Sequence, residues 1–130
     1  MISFNRSFTA IGLNARNSDL QVFMVDLLCA HPQFRPLYEE HISDYDEMLS
    51  HLLIADVERW VEDPGQDQEL VQKLLDWLDF RYSRSSAIVQ ELVSVSFLEH
   101  LPYAGQPGVE IAERLGPTLT AELHALRRSS

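Results

Sequence analysis

Residues 69–79 read ELVQKLLDWLD, and they carry the clearest secondary-structure signal in the chain. The apolar residues recur three and four positions apart, and the polar residues between them fall on the opposite side. This spacing is typical of an amphipathic helix that turns one apolar stripe towards a core. The stripe consists of Leu70, Val71, Leu74, Leu75, Trp77 and Leu78. The stretch therefore predicts a surface helix that needs other elements to cover its apolar face.

An earlier segment predicts a helix of its own. Ser18 and Gln21 have the spacing of a capping box, in which two polar residues satisfy backbone N–H groups at a helix start. Apolar residues then recur at helical spacing from Leu20 to Leu28, and Pro32 ends the pattern. These residues predict a helix that begins at Ser18 and stops before Pro32.

A longer helix is predicted between these two. Pro36 suits the first turn of a short helical segment. Ser43 and Asp46 form a second capping box, which predicts the start of a long helix that ends near Asp63. Residues 63–65, Asp-Pro-Gly, have the composition of the turn that follows.

Residues 86–101 have a mixed signal. Several of them are β-branched and favour a strand, but sixteen residues without a break exceed the usual strand length. The segment is apolar nearly all round, which is typical of a helix covered by its neighbours. We therefore predict a central helix here, followed by a loop rich in Pro and Gly over residues 102–108.

The C-terminal part predicts two further helices separated by Gly116-Pro117, because Gly favours a helix end and Pro favours a helix start. The final apolar stripe is Leu119, Leu123 and Leu126. Together, residues 18–130 predict an all-α, single-domain antiparallel helical bundle of about five or six helices. Residues 1–17 include Phe4 and Phe8, and we expect an N-terminal docking segment that packs on the bundle or on a second copy of the chain.

The charge of the protein is concentrated in one block. Thirteen of the twenty acidic residues lie between Glu39 and Asp79, where Arg59 and Lys73 are the only bases, so this block carries a net charge of −11. The rest of the chain has seven acids and eight bases, a net charge of +1. Such a local field attracts basic partners and repels nucleic acid. The composition therefore indicates a basic protein partner and argues against nucleic-acid binding.

The sequence also bears on the cellular setting. It begins without the charged region and apolar run of a secretory signal, and it has no run of eighteen apolar residues that would cross a membrane. We therefore expect a cytoplasmic protein without membrane contacts. Cys29 is the single cysteine, and its apolar neighbours predict a small buried residue.

One set of residues has the composition of a metal site. Glu40, Asp44, Glu47 and His51 would lie in one strip of a continuous helix, and their side chains can ligate a divalent cation. Carboxylate-bridged sites in bundles, however, take Glu-x-x-His pairs from two helices, and the sequence contains no such pair. We therefore expect a solvated face, with no metal and no cofactor.

Two acidic residues are predicted on buried helix faces. Asp56 falls among the apolar residues of the long helix, and Glu99 lies near the apolar line of the central helix. A buried carboxylate needs a partner, for which an arginine such as Arg59 is available. We interpret Asp56, Arg59 and Glu99 as structural polar residues, although two inward carboxylates also suit an acid and a base. The sequence has no motif for nucleophilic, phosphate-binding or zinc-dependent catalysis, so no catalytic residue is assigned.

Three stretches carry a resemblance to a known group of proteins. They are residues 51–60, HLLIADVERW, residues 93–101, VSVSFLEHL, and residues 114–117, RLGP, followed by a helix. Over residues 20–126 the chain resembles small all-helical bacterial immunity proteins of polymorphic toxin systems. The resemblance implies a protein that is made beside a toxin and silences its catalytic domain by binding it.

Three functional interpretations follow. The first is an immunity protein whose partner is a cognate toxin domain of basic charge, with a homodimer left open. The second is a secretion chaperone or adaptor for an effector, which an acidic domain without catalytic motifs also suits. The third is a small helical enzyme that uses Asp56 or Glu99.

The predicted partner-binding surface lies in the acidic block. Its residues are Asp44, Tyr45, Asp46, Glu47, Glu58, Glu62, Asp63, Asp67 and Glu69. Exposed charges mainly speed encounter, whereas a few aromatic or apolar anchors supply most of the affinity. Tyr38, Tyr45 and Tyr103 are candidate anchors, although each also suits ordinary packing at the edge of a core.

Overall fold

The computed structural model describes residues 14–129, and it describes side chains from residue 18 to residue 128. This part of the chain forms seven α-helices and two short 3-10 turns, with no strand. The helices are α1 (Asn14–Ala30), α2 (Arg35–Tyr45), α3 (Ser50–Glu62), α4 (Gln68–Tyr82), α5 (Ala87–Ser96), α6 (Glu110–Glu113) and α7 (Pro117–Ser129). The 3-10 turns are Pro32–Phe34 and Leu98–His100. The prediction of an all-α helical bundle is confirmed.

The core of the bundle is built around α5. This helix packs against α1, α3 and α4, and the 3-10 turn after it packs against α7. Val89, Leu92 and Val93 are among its buried residues. A helix covered on several sides stabilises the fold through burial, which outweighs the preference of Val and Ile for strands. The predicted central helix is therefore present, but it ends at Ser96.

Two predicted helix starts are wrong. α1 begins at Asn14, so Ser18 lies inside that helix rather than at its start. The predicted long helix is broken at Asp46, which has the left-handed φ of 62° and caps α2 with a 2.7 Å bond from its N–H to the Ile42 carbonyl. Asp adopts this conformation more readily than most residues, so it can end a helix. α3 begins only at Ser50.

The predicted docking segment is described only in part. Residues 1–13 lie outside the described residues, so the docking of Phe4 and Phe8 stays a prediction. Residues 14–17 belong to the first turn of α1.

Residues 69–79 lie in α4, and the apolar face of this helix packs into the core. Val71, Leu74, Leu75 and Leu78 are buried. Asp67 caps this helix, because its side chain accepts hydrogen bonds from two backbone N–H groups in the first turn. The remaining stripe residues, Leu70 and Trp77, are half-buried.

A carboxylate from α4 caps the last helix. Asp79 Oδ1 accepts a hydrogen bond from the N–H of Leu119, in the first turn of α7, at 2.8 Å. Gly116 lies against this carboxylate, since a Cβ at Gly116 would come within 2.4 Å of Asp79 Cγ. The polar side of α4 thus holds a contact between two helices rather than a fully solvated face.

Cys29 is exposed on the outer face of α1, so the prediction that it is buried is wrong. α1 turns Phe23, Met24 and Leu27 into the core, and this leaves the other side of the helix in solvent. Among the described helices, none has both the length and the apolar character needed to span a membrane.

Candidate protein-binding groove

A groove of about 530 Å³ lies between α2 and α3. Its lining residues are Leu37, Glu40, His41, Asp44, Tyr45, Asp56, Arg59, Trp60, Asp63 and Gln66. Within each helix these residues recur three and four positions apart, so they share one face. Because α2 packs against α3, the two faces meet along the groove.

The groove is strongly acidic. Four carboxylates line it, from Glu40, Asp44, Asp56 and Asp63, against the single guanidinium of Arg59. Asp56 forms an ion pair with Arg59, and Asp63 Oδ1 accepts a hydrogen bond from the Gly65 N–H at 2.9 Å. Glu40 and Asp44 are exposed and have no ion-pair partner among the described residues. A basic group entering the groove would therefore meet carboxylates that are not already neutralised.

Aromatic side chains form part of the groove wall. Trp60 is half-buried and packs edge-on against Phe34, with ring centroids 4.8 Å apart. Tyr45 is 48% exposed, and its ring centroid lies 4.9 Å from that of His41. Aromatic rings within a charged rim are the usual composition of a protein-binding hot spot.

His41 fixes the end of the connection between α2 and α3. Its Nε2 accepts a 2.9 Å hydrogen bond from the N–H of Leu49, which assigns the ring proton to Nδ1. The residue is only 2% exposed, and its Nδ1 has no hydrogen-bond partner in the described part of the chain. His41 lines the groove, so a buried donor beside the groove is not satisfied from within.

The structure brings together only part of the predicted partner-binding surface. Asp44, Tyr45 and Asp63 line the groove, as do Asp56 and Arg59, which we had interpreted as structural. The predicted residues outside it are Asp46, Glu47, Glu58, Glu62, Asp67 and Glu69. Of the two other proposed tyrosine anchors, Tyr38 packs partly against the core, whereas Tyr103 is 50% exposed and lies elsewhere. Leu37, His41 and Trp60 were missed, because no local pattern shows that α2 and α3 pack side by side.

Glu58 is the clearest correction to the predicted surface, because it is buried with 2% exposure. Burial raises the pKa of its carboxyl to about 9, and a hydrogen bond with Glu62 and the negative charge of Glu62 act in the same direction. Arg59 acts in the opposite direction. The Glu58 carboxyl is therefore protonated at neutral pH, and its Oε2 has no hydrogen-bond partner among the described residues. It cannot contribute negative charge to an interface.

The predicted burial of Glu99 is also wrong, since Glu99 is exposed. The helical spacing that placed it inside stops at Ser96, and the 3-10 turn at 98–100 then buries Leu98 and turns Glu99 outwards. Asp56 is half-buried and does pair with Arg59, but the side chains are 34% and 65% exposed. This is a surface ion pair rather than a buried one.

We expect Asp56→Ala to lower the free energy of unfolding by less than about 1 kcal/mol, because exposed ion pairs are screened by solvent. Urea unfolding of the wild type and the variant would measure this difference. A loss above about 3 kcal/mol would instead indicate a buried pair.

The strip that suggested a metal site is divided by the break at Asp46. Glu40 and Asp44 lie on α2, whereas His51 lies on α3 and its Nδ1 is 2.6 Å from Ser96 Oγ. Across the described residues, no group of three or more His, Cys, Asp or Glu side chains is placed to hold a metal ion.

The fold and groove define an all-helical protein with an acidic, partly aromatic groove. The chain belongs to the family described as a domain of unknown function (DUF7674), whose model matches residues 24–129 and so includes the whole groove. Comparisons with curated proteins and with solved structures found no match.

Proposed function

We propose that this protein is an immunity protein that binds a basic toxin domain through the groove between α2 and α3. The observation that carries the proposal is the groove itself, where four carboxylates surround aromatic residues and one arginine. The resemblance of residues 51–60, 93–101 and 114–117 to immunity proteins supports the same function. The site of action would be the cytoplasm, where the toxin domain would otherwise reach its target.

The groove suits the two stages of such binding. The formal net charge of −11 over residues 39–79, which is −10 with Glu58 protonated, would accelerate encounter with a basic surface. Tyr45 and Trp60 would then anchor the complex, because aromatic groups at the centre of an interface contribute most to slow dissociation. Inhibition would follow from covering the catalytic surface of the toxin, which requires no catalytic group on this chain.

Glu58 is the residue that would most favour an enzyme, because strongly raised pKa values often occur at catalytic sites. It is buried and lines neither the groove nor the smaller cavity beside Glu99 and Tyr103. A substrate in either place would not reach its carboxyl. The structure therefore supports binding more than catalysis.

Charge reversal in the groove should slow capture of the toxin. For Glu40→Lys/Asp44→Lys we expect association with the toxin domain encoded beside this gene to be about tenfold slower at low salt. The difference should shrink near about 0.5 M salt, where screening is short-ranged. Stopped-flow or surface-binding kinetics at two salt concentrations would measure it.

The control is Glu69→Lys/Asp76→Lys, which changes the net charge equally at exposed positions outside the groove. We expect this pair to slow association by less than about threefold. Equal slowing by both pairs would contradict the groove and favour the wider acidic surface. Tight binding that leaves the toxin active would instead favour a chaperone or adaptor.

A further inference from the structure

We infer that the groove is a receptor for one arginine side chain of the basic partner, with the backbone next to that arginine bonded to His41. This deepens the proposed function and rests on it for the identity of the partner. The occupant is a protein segment, because the groove offers carboxylates for a cation, and His41, which lines it, has a buried N–H donor without a partner that a carbonyl could bind.

The chain itself shows that a guanidinium fits here. Arg59 lines the groove and places its Nη2 on the Asp56 carboxylate. That side chain is 65% exposed and pairs with Asp56 one helical turn away. It leaves Glu40 and Asp44 without a cationic partner among the described residues. A second guanidinium from a partner would neutralise part of the remaining negative charge of the groove.

The aromatic residues favour arginine over lysine. Elsewhere in the described chain, guanidinium groups lie over aromatic rings, as Arg84 does over Phe80 at 3.9 Å and Arg127 over Tyr103 at 3.9 Å. The rings of Tyr45 and Trp60 have no such cation among the described residues. A planar guanidinium can stack on a ring while its edge binds carboxylates, which an ammonium cannot do.

His41 distinguishes a peptide from a free cation. Its Nε2 is already bonded to the Leu49 N–H, so only Nδ1–H remains as a donor. A buried donor without a partner is costly, and a peptide carbonyl would remove that cost. A metal ion or a polyamine offers no acceptor for this N–H.

Peptide titrations followed by NMR test this inference without any toxin. The probes are acetyl-Gly-Arg-Gly-amide and the same peptide with lysine or citrulline in place of arginine. The indole N–H signal of Trp60 reports on the groove, and that of Trp77, packed against Phe23 and His31, is the internal reference. We expect saturable shifts of the Trp60 signal with the arginine peptide, at a dissociation constant on the order of 1 mM. Binding should be about threefold weaker with lysine and at least tenfold weaker with neutral citrulline.

Two variants and one control test the expected direction of the change in affinity. Arg59→Gln removes the internal competitor from Asp56, so it should tighten binding of the arginine peptide about threefold. Lys73→Gln changes the net charge equally at an exposed position outside the groove, and it should leave the affinity within about 1.5-fold. Asp44→Asn should weaken binding about fivefold.

An unmoved Trp60 signal, equal binding of the citrulline peptide, or equal tightening by Lys73→Gln would overturn the inference. These outcomes are separate from a failure of the proposed function. Toxin capture that depends on Glu40 and Asp44 without arginine-peptide binding would remove only the arginine receptor. Arginine binding without toxin capture would remove only the immunity function.

Discussion

Replacing Glu58 by Gln should raise the free energy of unfolding at pH 8 by about 1 to 3 kcal/mol. The buried carboxyl has a pKa of about 9 in the folded protein, so it must hold a proton there. In the unfolded chain the same group ionises near its ordinary value of 4.5. Release of this proton stabilises the unfolded state of the wild type. Gln cannot ionise, so the unfolded state of the variant is not stabilised in this way.

The sign of the pH dependence follows from the raised pKa. The contribution of Glu58 to stability is complete below about pH 4.5 and is lost progressively as the pH rises towards 9. Burial lowers the pKa of His31, so His31 has the opposite effect. Its contribution to stability is lost as the pH falls through its ordinary value of 6.5. His31 is present in both wild type and Glu58→Gln, so its contribution cancels when the pH dependence of the two proteins is compared.

Chemical denaturation at several pH values between about 6 and 9 would measure the effect. The wild type should lose stability across this range more steeply than Glu58→Gln. Glu47→Gln is the matched control, because Glu47 is exposed and should leave the slope unchanged. Parallel curves for wild type and Glu58→Gln would show that Glu58 is ionised in the folded protein.

The second large effect is expected where α4 meets α7. Gly116→Ala should lower the free energy of unfolding by about 2 kcal/mol or more, because its Cβ would displace the Asp79 carboxylate that caps α7. Asp79→Ala alone should cost about 1 to 2 kcal/mol through loss of the cap. In the Asp79→Ala background, Gly116→Ala should be nearly neutral, because nothing remains for the Cβ to displace.

A double-mutant cycle measures this coupling by denaturant unfolding of the four proteins. Asp76→Ala is the control, since Asp76 is exposed on the same helix and bonds only to the Gln72 side chain among the described residues. Additive costs of Asp79→Ala and Gly116→Ala would contradict a direct contact between the two positions.

The existence of the helices was predictable because it depends on local spacing. The pattern of residues 69–79 and the Gly116-Pro117 boundary reflect the helix itself, and both are present in the structure. The break at Asp46 was not predictable in the same way. A Ser followed by an acidic residue suits a helix start, and only the packing of α2 on α3 decides that Asp46 ends a helix instead.

The burial of Glu58 shows a second limit of local patterns. α3 has apolar residues around more than one face, and Leu52, one of the apolar residues near Asp56, is 46% exposed. The buried face instead runs through Leu53, Ile54, Val57 and Val61 and includes Glu58. Which face packs inwards is set by distant contacts with α5, and these do not appear in the spacing of α3. The acidity of the groove was predictable, but its pairing with Trp60 and His41 was not.

The two walls of the groove are anchored to different degrees. α3 contributes five buried residues to the interior, whereas in the fully described α2 the one buried residue is His41. Most substitutions on α2 would thus reshape the groove without disturbing the core, while those on α3 would often be destabilising. If the groove binds a partner as proposed, such a division would let a lineage change its recognition on one helix while the other preserves the fold.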